Sequence, residues 1–384
     1  MNIDAPPATR ANWRTAPHSH WAFRNVGAVV PVAAIANVPR SVIALGSAPM
    51  TFDDLVIPDG DARLDFASFL DVTATDAIVV VHDGRIVFEH YANGNSEHGP
   101  HILMSATKAV VGLVAETLAA RGEIVLDAPV TSYVPEVAAT AYAGATLRHL
   151  LDMRAGVVMG GAVLAAYEAA INWDDTGGPG DTLHRFFATL AAPFAPHARA
   201  FRYVSANTDL LGWAIERATG AAFAEVVGRV LWQPMGAADA AAITVDRAGA
   251  ARCTGGLCAT VRDMARVGQL LVDGGTSGGV EVIPAAVIDG LASGGDHTAW
   301  TTGEWGKLFT FAGKSLRYRS GWYIVDDTPA MLFAMGIHGQ NLFVDRANRI
   351  VVAKLSSQAN ALDYRAVPLT HATFAAIRRR LLNG

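Results

Sequence analysis

The chain has 384 residues, 51% of them hydrophobic and 17% charged, so it can bury a sizeable core in one large or two smaller domains, and global disorder is excluded. The formal net charge is −5, and the only basic run, at 378–380, is typical of the last turn of a helix. Nucleic acid is therefore not an expected partner. Two cysteines, Cys253 and Cys258, are too few for a disulfide scaffold, and two reduced thiols are favoured.

No apolar stretch reaches the roughly 18 residues that a membrane span requires, so no membrane partner is expected. The apolar segment 26–36 is interrupted by Pro31 and follows a long polar lead, which is too late for a secretory signal. These features predict a cytoplasmic protein. The sequence leaves monomer and homodimer both open.

Residues 1–60 are rich in proline and alanine and are predicted to form an extended arm on the body of the protein. Asp83-Gly84 lies between two apolar runs in 76–94, which predicts a β-hairpin with a type I′ turn. The segment 103–112 follows and is typical of an amphipathic helix, with Gly122 as its C-terminal cap.

The middle of the chain, about 130–200, is rich in alanine and glycine and is predicted to be helix and loop. Further helices are predicted at 144–153, 207–220, 259–275 and 364–382, a loop at 177–181, and strands at 320–325, 341–345 and 349–357. Strands at both ends with helices between them predict an α+β fold, an antiparallel sheet flanked by helices. The expected division is one domain from 1–129 and 206–384 and a mainly helical insertion domain at 130–205.

Several chemistries are excluded by the motifs that the sequence lacks. There is no Walker-type loop, no Gly-x-Gly-x-x-Gly after a strand, and no His-Glu-x-x-His or spaced Cys/His set. Gly-x-Ser-x-Gly is also absent, which argues against an α/β-hydrolase. No metal or organic cofactor is therefore expected.

The sequence "LMSATKAVVG" contains Ser105-x-x-Lys108. Residues three apart share one side of a helix, so the lysine amine can approach the serine hydroxyl. A lysine with a lowered pKa can take the hydroxyl proton, and the N-terminus of a helix offers N–H groups to an oxyanion. The same motif also occurs by chance on helix surfaces, so this pair alone does not decide between chemistry and a plain helical turn.

Two further segments can join this pair. In "FRYVSANTDLLG", Tyr203 and Ser205 come just before a helix, where a phenol can relay a proton. The alternative is a helix start capped by Asn207, with Tyr203 packed in the core. In "MGIHGQNLFVD", small residues before a strand allow a substrate to lie along the strand edge, and the alternative is an ordinary loop.

In this order and spacing, the three segments resemble the serine β-lactamase and penicillin-binding protein superfamily, on the side of class C β-lactamases and family VIII carboxylesterases. Within it, the chain is similar to the nylon-oligomer amidases, the 6-aminohexanoate-dimer hydrolases. The stretches that carry the resemblance extend over nearly the whole chain: "NWRTAPHSHWAFRNVGAVVP", "HILMSATKAVVG", "VTSYVPEV", "LLDMRAG", "FRYVSANTDLLGWAIERATG", "DMARVGQLLVDGG" and "GIHGQNLFVD…VAKLSS".

The resemblance implies Ser105 as the acylated nucleophile, Lys108 as its base and Tyr203 as the proton relay to the leaving group. Ser205 stands where many relatives have asparagine and would orient the lysine. The backbone N–H groups of Ser105 and Ile337 would form the oxyanion hole. Trp322 would wall the substrate cleft.

The resemblance also shows where this chain departs from its relatives. A Lys-Thr-Gly triad is replaced by "GIHGQ", in which Gly336 and His338 are expected to contact substrate. Val163 stands where the amidases have a substrate-contacting tyrosine. Asp174 could meet a substrate ammonium group, or it could be a capping or solvated acid.

The expected activity is a serine hydrolase that cleaves a linear amide of the 6-aminohexanoate-oligomer type through an acyl-enzyme, with esterase activity beside it. A family VIII-type carboxylesterase acting on short-chain esters is the main alternative. A β-lactamase, a D-Ala-D-Ala peptidase and an inactive ligand-binding homologue remain further alternatives. The expected partner is a small-molecule amide or ester.

Overall fold

The computed structural model describes residues 8–175, 181–327 and 330–383. The strands are β1 Val32–Ile35, β2 Gly46–Ser47, β3 Ile57–Asp59, β4 Ala62–Leu64, β5 Thr75–His82, β6 Arg85–Tyr91, β7 His101–Ile102, β8 Ala241–Thr244, β9 Leu257–Ala259, β10 Thr276–Ser277, β11 Val280–Glu281, β12 Leu316–Arg319, β13 Trp322–Val325, β14 Met331–Gly336, β15 Gln340–Asp345 and β16 Ile350–Ser356.

The α-helices are α1 His18–Ala22, α2 Phe66–Val72, α3 Thr107–Ala120, α4 Leu147–Leu151, α5 Gly161–Ala170, α6 Leu183–Ala188, α7 Ser205–Thr219, α8 Phe223–Val227, α9 Val261–Val272, α10 Ala285–Ser293, α11 His297–Thr302 and α12 Ala366–Asn383. Short 3-10 turns lie at Val26–Ala28, Pro39–Ser41, Met104–Ala106, Val130–Ser132, Pro135–Val137 and Ile337–Gly339, and a π-helical turn lies at Gly228–Trp232.

The main sheet has eight strands in the order β12-β13-β14-β15-β16-β5-β6-β2. Its pairs are antiparallel except for the edge pair of β2 with β6. β16 from the end of the chain pairs with β5 from its beginning, so both ends of the chain build the sheet. The predicted α+β fold is therefore confirmed. A smaller sheet has the order β1-β8-β9-β7.

Alternate residues of β5 enter two separate cores. Val79 and Val81 pack in the cluster that contains α3 and α9, whereas Ile78 and Val80 pack in the cluster that contains α2 and α12. This is the period-two pattern of a strand, here with both faces covered by helices. Helices therefore cover both faces of the sheet, and the site described below lies at the end of β14.

The hairpin is formed as predicted: Asp83 and Gly84 join β5 to β6 with φ of 48° and 73°, both in the left-handed region of a type I′ turn. The predicted helices are present with shifted ends. The helix predicted at 144–153 is shorter in the structure, as α4, and the helix predicted at 207–220 begins earlier, as α7. Gly220 ends α7 with φ of 67°. Of the predicted loop at 177–181, residues 177–180 lie outside the described residues.

The expectation of an amphipathic helix at 103–112 is wrong. Nearly every residue of α3 is buried, because other elements surround it on all sides, so it has no solvated face. Cys253 and Cys258 are free and buried. None of the described helices has both the length and the apolar character to cross a membrane.

The N-terminal arm is packed on the body where the structure describes it. Trp13 and Phe23 are fully buried, and the Trp13 indole N–H donates to the carbonyl of Trp173 at 2.9 Å. Residues 130–205 contain α4, α5 and α6, and their described part has no strand beyond isolated bridges. The division into a two-part domain and an insertion domain stays a prediction.

Candidate active site

Ser105 lies in the 3-10 turn Met104–Ala106, directly before α3. The preceding residue, Met104, has φ of 46°, a left-handed conformation that is uncommon for a residue with a side chain. The turn is fixed by the N–H of Leu103, which donates to the carbonyl of Leu257 at 2.8 Å. Backbone strain of this kind is concentrated at functional sites, where the surrounding structure holds it in place.

Lys108 lies in the first turn of α3 and is 2% exposed. Its Nζ is 3.0 Å from the Ser105 Oγ and 2.9 Å from the carbonyl oxygen of Thr254. Desolvation holds the pKa of Lys108 well below its usual value, the positive charge of Arg252 lowers this pKa further, and Asp209 opposes the shift. The arrangement favours a neutral amine beside the serine hydroxyl.

Tyr203 lies just before α7 and completes this group. Lys108 Nζ is 4.7 Å from the centroid of the Tyr203 ring, and Trp305 stacks on the ring with centroids 4.5 Å apart. Burial raises the pKa of Tyr203 to about 12, although the Ser105 hydroxyl acts in the opposite direction. The phenol therefore keeps its proton at neutral pH and can give it to a leaving group.

Ser205 is the first residue of α7 and lines the cavity beside Ser105. Its carbonyl oxygen accepts a hydrogen bond from the Thr254 hydroxyl. The N–H of Thr254 donates to Asp209 at 2.8 Å, and its carbonyl oxygen contacts Lys108. The connection from Ser205 to Lys108 thus passes through Thr254, whose hydroxyl contacts Ser205 and whose carbonyl oxygen contacts Lys108.

The end of β14 lies against the turn that carries Ser105. A Cβ placed on Gly336 would be 2.6 Å from the Leu103 carbonyl oxygen and 3.0 Å from the Ser105 nitrogen, so only glycine fits this approach. Ile337 follows directly and lines both cavities that meet at Ser105. Ile337 therefore lies close to the serine, and its role as an oxyanion donor stays a prediction.

Two cavities meet at Ser105, Tyr203 and Ile337. The larger has a volume of about 320 Å³ and is bounded by the 159–174 segment, α7 and the N-terminal arm. The smaller has a volume of about 170 Å³ and a mainly apolar wall, formed by Trp305, Tyr323, Met335, Leu362 and Val367 among others. A substrate carbonyl at Ser105 can extend one group into each cavity.

Asp174 lines the larger cavity, but its carboxylate is already paired. Arg14 of the N-terminal arm donates from Nη2 to both of its oxygens, at 2.6 and 2.5 Å. Val163 lies on α5 and is partly buried against the core. The residues of α5 that line the cavity are its neighbours, Leu164 and Tyr167 among them.

Three residues expected to contact substrate, Val163, Trp322 and His338, line neither cavity. Trp322 is fully buried beneath α3, with its indole N–H 3.2 Å from the carbonyl oxygen of Ala109, and it lines neither cavity. His338 is 4% exposed, and its Nδ1 is 2.7 Å from the carbonyl oxygen of Gln358. A φ of 62° turns His338 into the protein, whereas Gly336 does line the smaller cavity.

Sequence reasoning missed a buried network next to Lys108. Arg252 donates from Nη1 to Asp209 and to the Tyr167 hydroxyl, and that hydroxyl donates to Asp209 at 2.6 Å. The only local sign of this network in the sequence is Asp209, an acidic residue one helical turn after Ser205. Among the described residues, no group of three His, Cys, Asp or Glu is arranged to hold a metal.

The family profile described as Beta-lactamase matches residues 66–376 of the sequence. It therefore includes both sheet-forming ends and the Ser105 turn. The chain belongs to the beta-lactamase family. Its fold is that of the serine β-lactamase and penicillin-binding protein superfamily, and the predicted resemblance is confirmed.

Relatives of this beta-lactamase-family chain are hydrolases. It is 33% identical to the 6-aminohexanoate-dimer hydrolase of Paenarthrobacter ureafaciens over 91% of this chain and 88% of the relative. It is also 33% identical to the esterase EstB of Burkholderia gladioli, over 38% of each chain. A solved Bacillus anthracis structure, named for 6-aminohexanoate-dimer hydrolysis, has a TM-score of 0.87 and 26% identity over 99% of both chains. The protein is thus a serine hydrolase.

Proposed function

We propose that this hydrolase cleaves a linear amide, of the 6-aminohexanoate-oligomer type, through an acyl-enzyme on Ser105. The observation that carries the proposal is the buried Lys108 amine, 3.0 Å from the Ser105 hydroxyl, with its pKa held low. The similarity to 6-aminohexanoate-dimer hydrolase supports the amide as substrate.

In the proposed reaction, neutral Lys108 takes the proton of the Ser105 hydroxyl while Oγ attacks the carbonyl carbon. The backbone N–H groups of Ser105 and Ile337 stabilise the oxyanion. Tyr203 gives its proton to the leaving nitrogen as the C–N bond breaks, and it recovers a proton from the Lys108 ammonium. Water then adds to the acyl-enzyme, the acid is released, and Ser105 regains its proton.

Labelling with a fluorophosphonate tests this assignment. We expect a single adduct on Ser105, located by peptide mass spectrometry, and no adduct or turnover in Ser105→Ala. Ser293→Ala, at the exposed end of α10, is the matched control and should label like the wild type. An adduct elsewhere, or full activity in Ser105→Ala, would contradict the proposal.

A carboxylesterase of the family VIII type is the second candidate, and the apolar wall of the smaller cavity favours it. A cavity of about 170 Å³ lined by Trp305, Met335 and Leu362 fits a short acyl chain. The two candidates are separated by kcat/KM for the 6-aminohexanoate dimer against short p-nitrophenyl esters. A higher value for the dimer supports the amidase, and turnover of the esters alone supports the esterase.

A further inference from the structure

The larger cavity contains two arginines that share one aromatic neighbour. The Cζ atoms of Arg14 and Arg252 lie 5.8 and 5.2 Å from the centroid of the Trp173 ring, and all three residues line the cavity. Arg14 comes from the N-terminal arm and Arg252 from the segment between β8 and β9, so the fold brings them together from distant parts of the chain. Two guanidinium groups in one cavity favour an anionic ligand group.

Arg252 is 6% exposed and has an unused donor. Its Nη1 bonds with Asp209 and Tyr167, but its buried Nε has no hydrogen-bond partner in the part of the chain that the structure describes. An unpaired buried donor is costly, and it calls for an acceptor that these protein groups do not supply. Arg252, paired with Asp209, therefore lines the cavity with one donor that the described protein groups leave unsatisfied.

Arg14 also retains donors. Both of its bonds to Asp174 come from Nη2, and Nη1 and Nε have no hydrogen bond to any other described residue. A guanidinium group can serve two carboxylates at once through its separate edges. Asp174 already has Arg14 as its cationic partner. Glu168, the other acidic residue that lines the cavity, is exposed on α5.

We infer that the larger cavity receives a carboxylate at the far end of the substrate, bound by Arg14 and Arg252. The inference rests on the proposed function, since the reacting carbonyl lies at Ser105 and the rest of the substrate extends past Trp173. The preferred amide or ester then carries a free carboxylate on its acyl group or on its leaving group. A methyl ester of the same molecule leaves the arginine donors without an anionic acceptor.

Binding to Ser105→Ala, which cannot turn over, tests the inference without relying on catalysis. The probes are 6-acetamidohexanoate, with the carboxylate on the leaving group, N-butyladipamate, with the carboxylate on the acyl group, and the methyl ester of each. By titration calorimetry, we expect at least one acid to bind about tenfold more tightly than its ester. A factor of this size corresponds to the free energy of one charge-assisted hydrogen bond. The acid that shows the preference identifies the side of the substrate.

A second substitution tests whether Arg14 causes the preference for the acid over its ester. Added to Ser105→Ala, Arg14→Gln should remove most of the preference, and Arg14→Lys should keep part of it. Arg10→Gln is the matched control, because Arg10 lies on the same arm, bonds with Asn172 at 2.6 Å and does not line the cavity. Equal binding of acids and esters, or an undiminished preference in Arg14→Gln, would overturn the inference.

Turnover by the Ser105 enzyme separates this inference from the proposed function. If acids and esters are cleaved equally well in a Ser105-dependent reaction, the carboxylate site is wrong and the proposed function stands. If the acids bind preferentially but no amide or ester is cleaved through Ser105, the carboxylate site stands and the proposed function is wrong.

Discussion

At the scale of single residues, Gly336 limits how the nucleophile turn can be changed. In Gly336→Ala, the new Cβ would meet the Leu103 carbonyl oxygen at 2.6 Å and the Ser105 nitrogen at 3.0 Å. We expect β14 to move away from Ser105 and kcat/KM to fall by about 10²–10³, the usual effect of losing an oxyanion donor. Steady-state kinetics with a p-nitrophenyl ester measures the loss.

Gly290→Ala provides the control for this substitution. Gly290 lies inside α10, and alanine is the better helix former there. Among the described residues, no atom outside its own stretch of helix is within 4 Å of the position of its Cβ. Its kcat/KM should equal that of the wild type. Wild-type kinetics in Gly336→Ala would show that the close approach of β14 is not needed for activity.

The pKa of Lys108 gives a second prediction at this scale. The base must be neutral to accept a proton, so kcat/KM should fall as the pH is lowered through the pKa of Lys108. The charge of Arg252 lowers that pKa and Asp209 raises it. In Arg252→Met the first effect disappears and Asp209 loses its partner, so both changes raise the pKa and move the acidic limb of the profile to higher pH.

The pH profile of kcat/KM, with folding checked by circular dichroism, measures this shift. Arg229→Met is the control, because Arg229 is exposed and pairs with Glu123 at 3.3 Å, away from the site. Its acidic limb should coincide with that of the wild type. An acidic limb that stays in place in Arg252→Met would show that Arg252 does not set the pKa of the base.

The residues that the sequence could and could not predict differ in one physical respect. Ser105 and Lys108 are three apart on a helical turn, so their contact follows from local geometry. The contact of Lys108 with Thr254 joins residues 146 apart in sequence, and no local pattern signals it. Trp322 was misplaced because strand residues alternate between faces, and the resemblance did not fix which face it takes.

At the scale of elements, the N-terminal arm is part of the site as well as of the core. Trp13 is fully buried, packs edge-to-face on Phe23 and Trp173, and donates to the Trp173 carbonyl. Trp13→Ala should lower the free energy of unfolding by about 3–5 kcal/mol, the usual cost of emptying an aromatic site. It should also lower kcat/KM, because Trp173 and Asp174 line the larger cavity.

Urea unfolding and steady-state kinetics test both effects. Trp21→Ala is the matched control on the same arm, since Trp21 is 44% exposed, and its free energy of unfolding should change by at most about 0.5 kcal/mol. Equal stability of the two variants would mean that the arm is not an integral part of the fold.

The elements also show where pattern reasoning fails. The hairpin of β5 and β6 was predicted because its turn residues have a steric requirement for positive φ. The burial of α3 on all sides was not predicted, because a helix that is surrounded by other elements has no polar face for a sequence pattern to reveal. The sequence patterns also missed β12 and β14. Both faces of the sheet are covered, so the residues of β14 are apolar or small along its whole length and do not alternate with polar ones.

At the scale of the whole molecule, the two ends of the chain meet in the central strands, and this pairing was predictable from strands at both termini. The packing that follows buries Lys354 on β16, between Asn341 of β15 and Ile78 of β5. Its Nζ donates to the Ser356 hydroxyl and lies 5.7 Å from the centroid of the Phe69 ring. Desolvation lowers the pKa of Lys354 to about 7, with Asp76 opposing the shift.

This buried lysine should make the stability of the protein depend on pH. Between about pH 7 and its ordinary pKa near 10.5, Lys354 binds a proton in the unfolded chain but not in the folded one. The free energy of unfolding therefore rises with pH across this window, and below pH 7 the folded state carries the full cost of a buried charge. Lys354→Met should raise the free energy of unfolding at pH 6 by about 1–4 kcal/mol and flatten its rise between pH 7 and 10.

Urea unfolding at a series of pH values measures both effects. Lys314→Met is the control, because Lys314 is an exposed lysine paired with Asp327, and it should follow the wild-type curve. A wild-type pH dependence in Lys354→Met would mean that Lys354 stays charged in the folded protein.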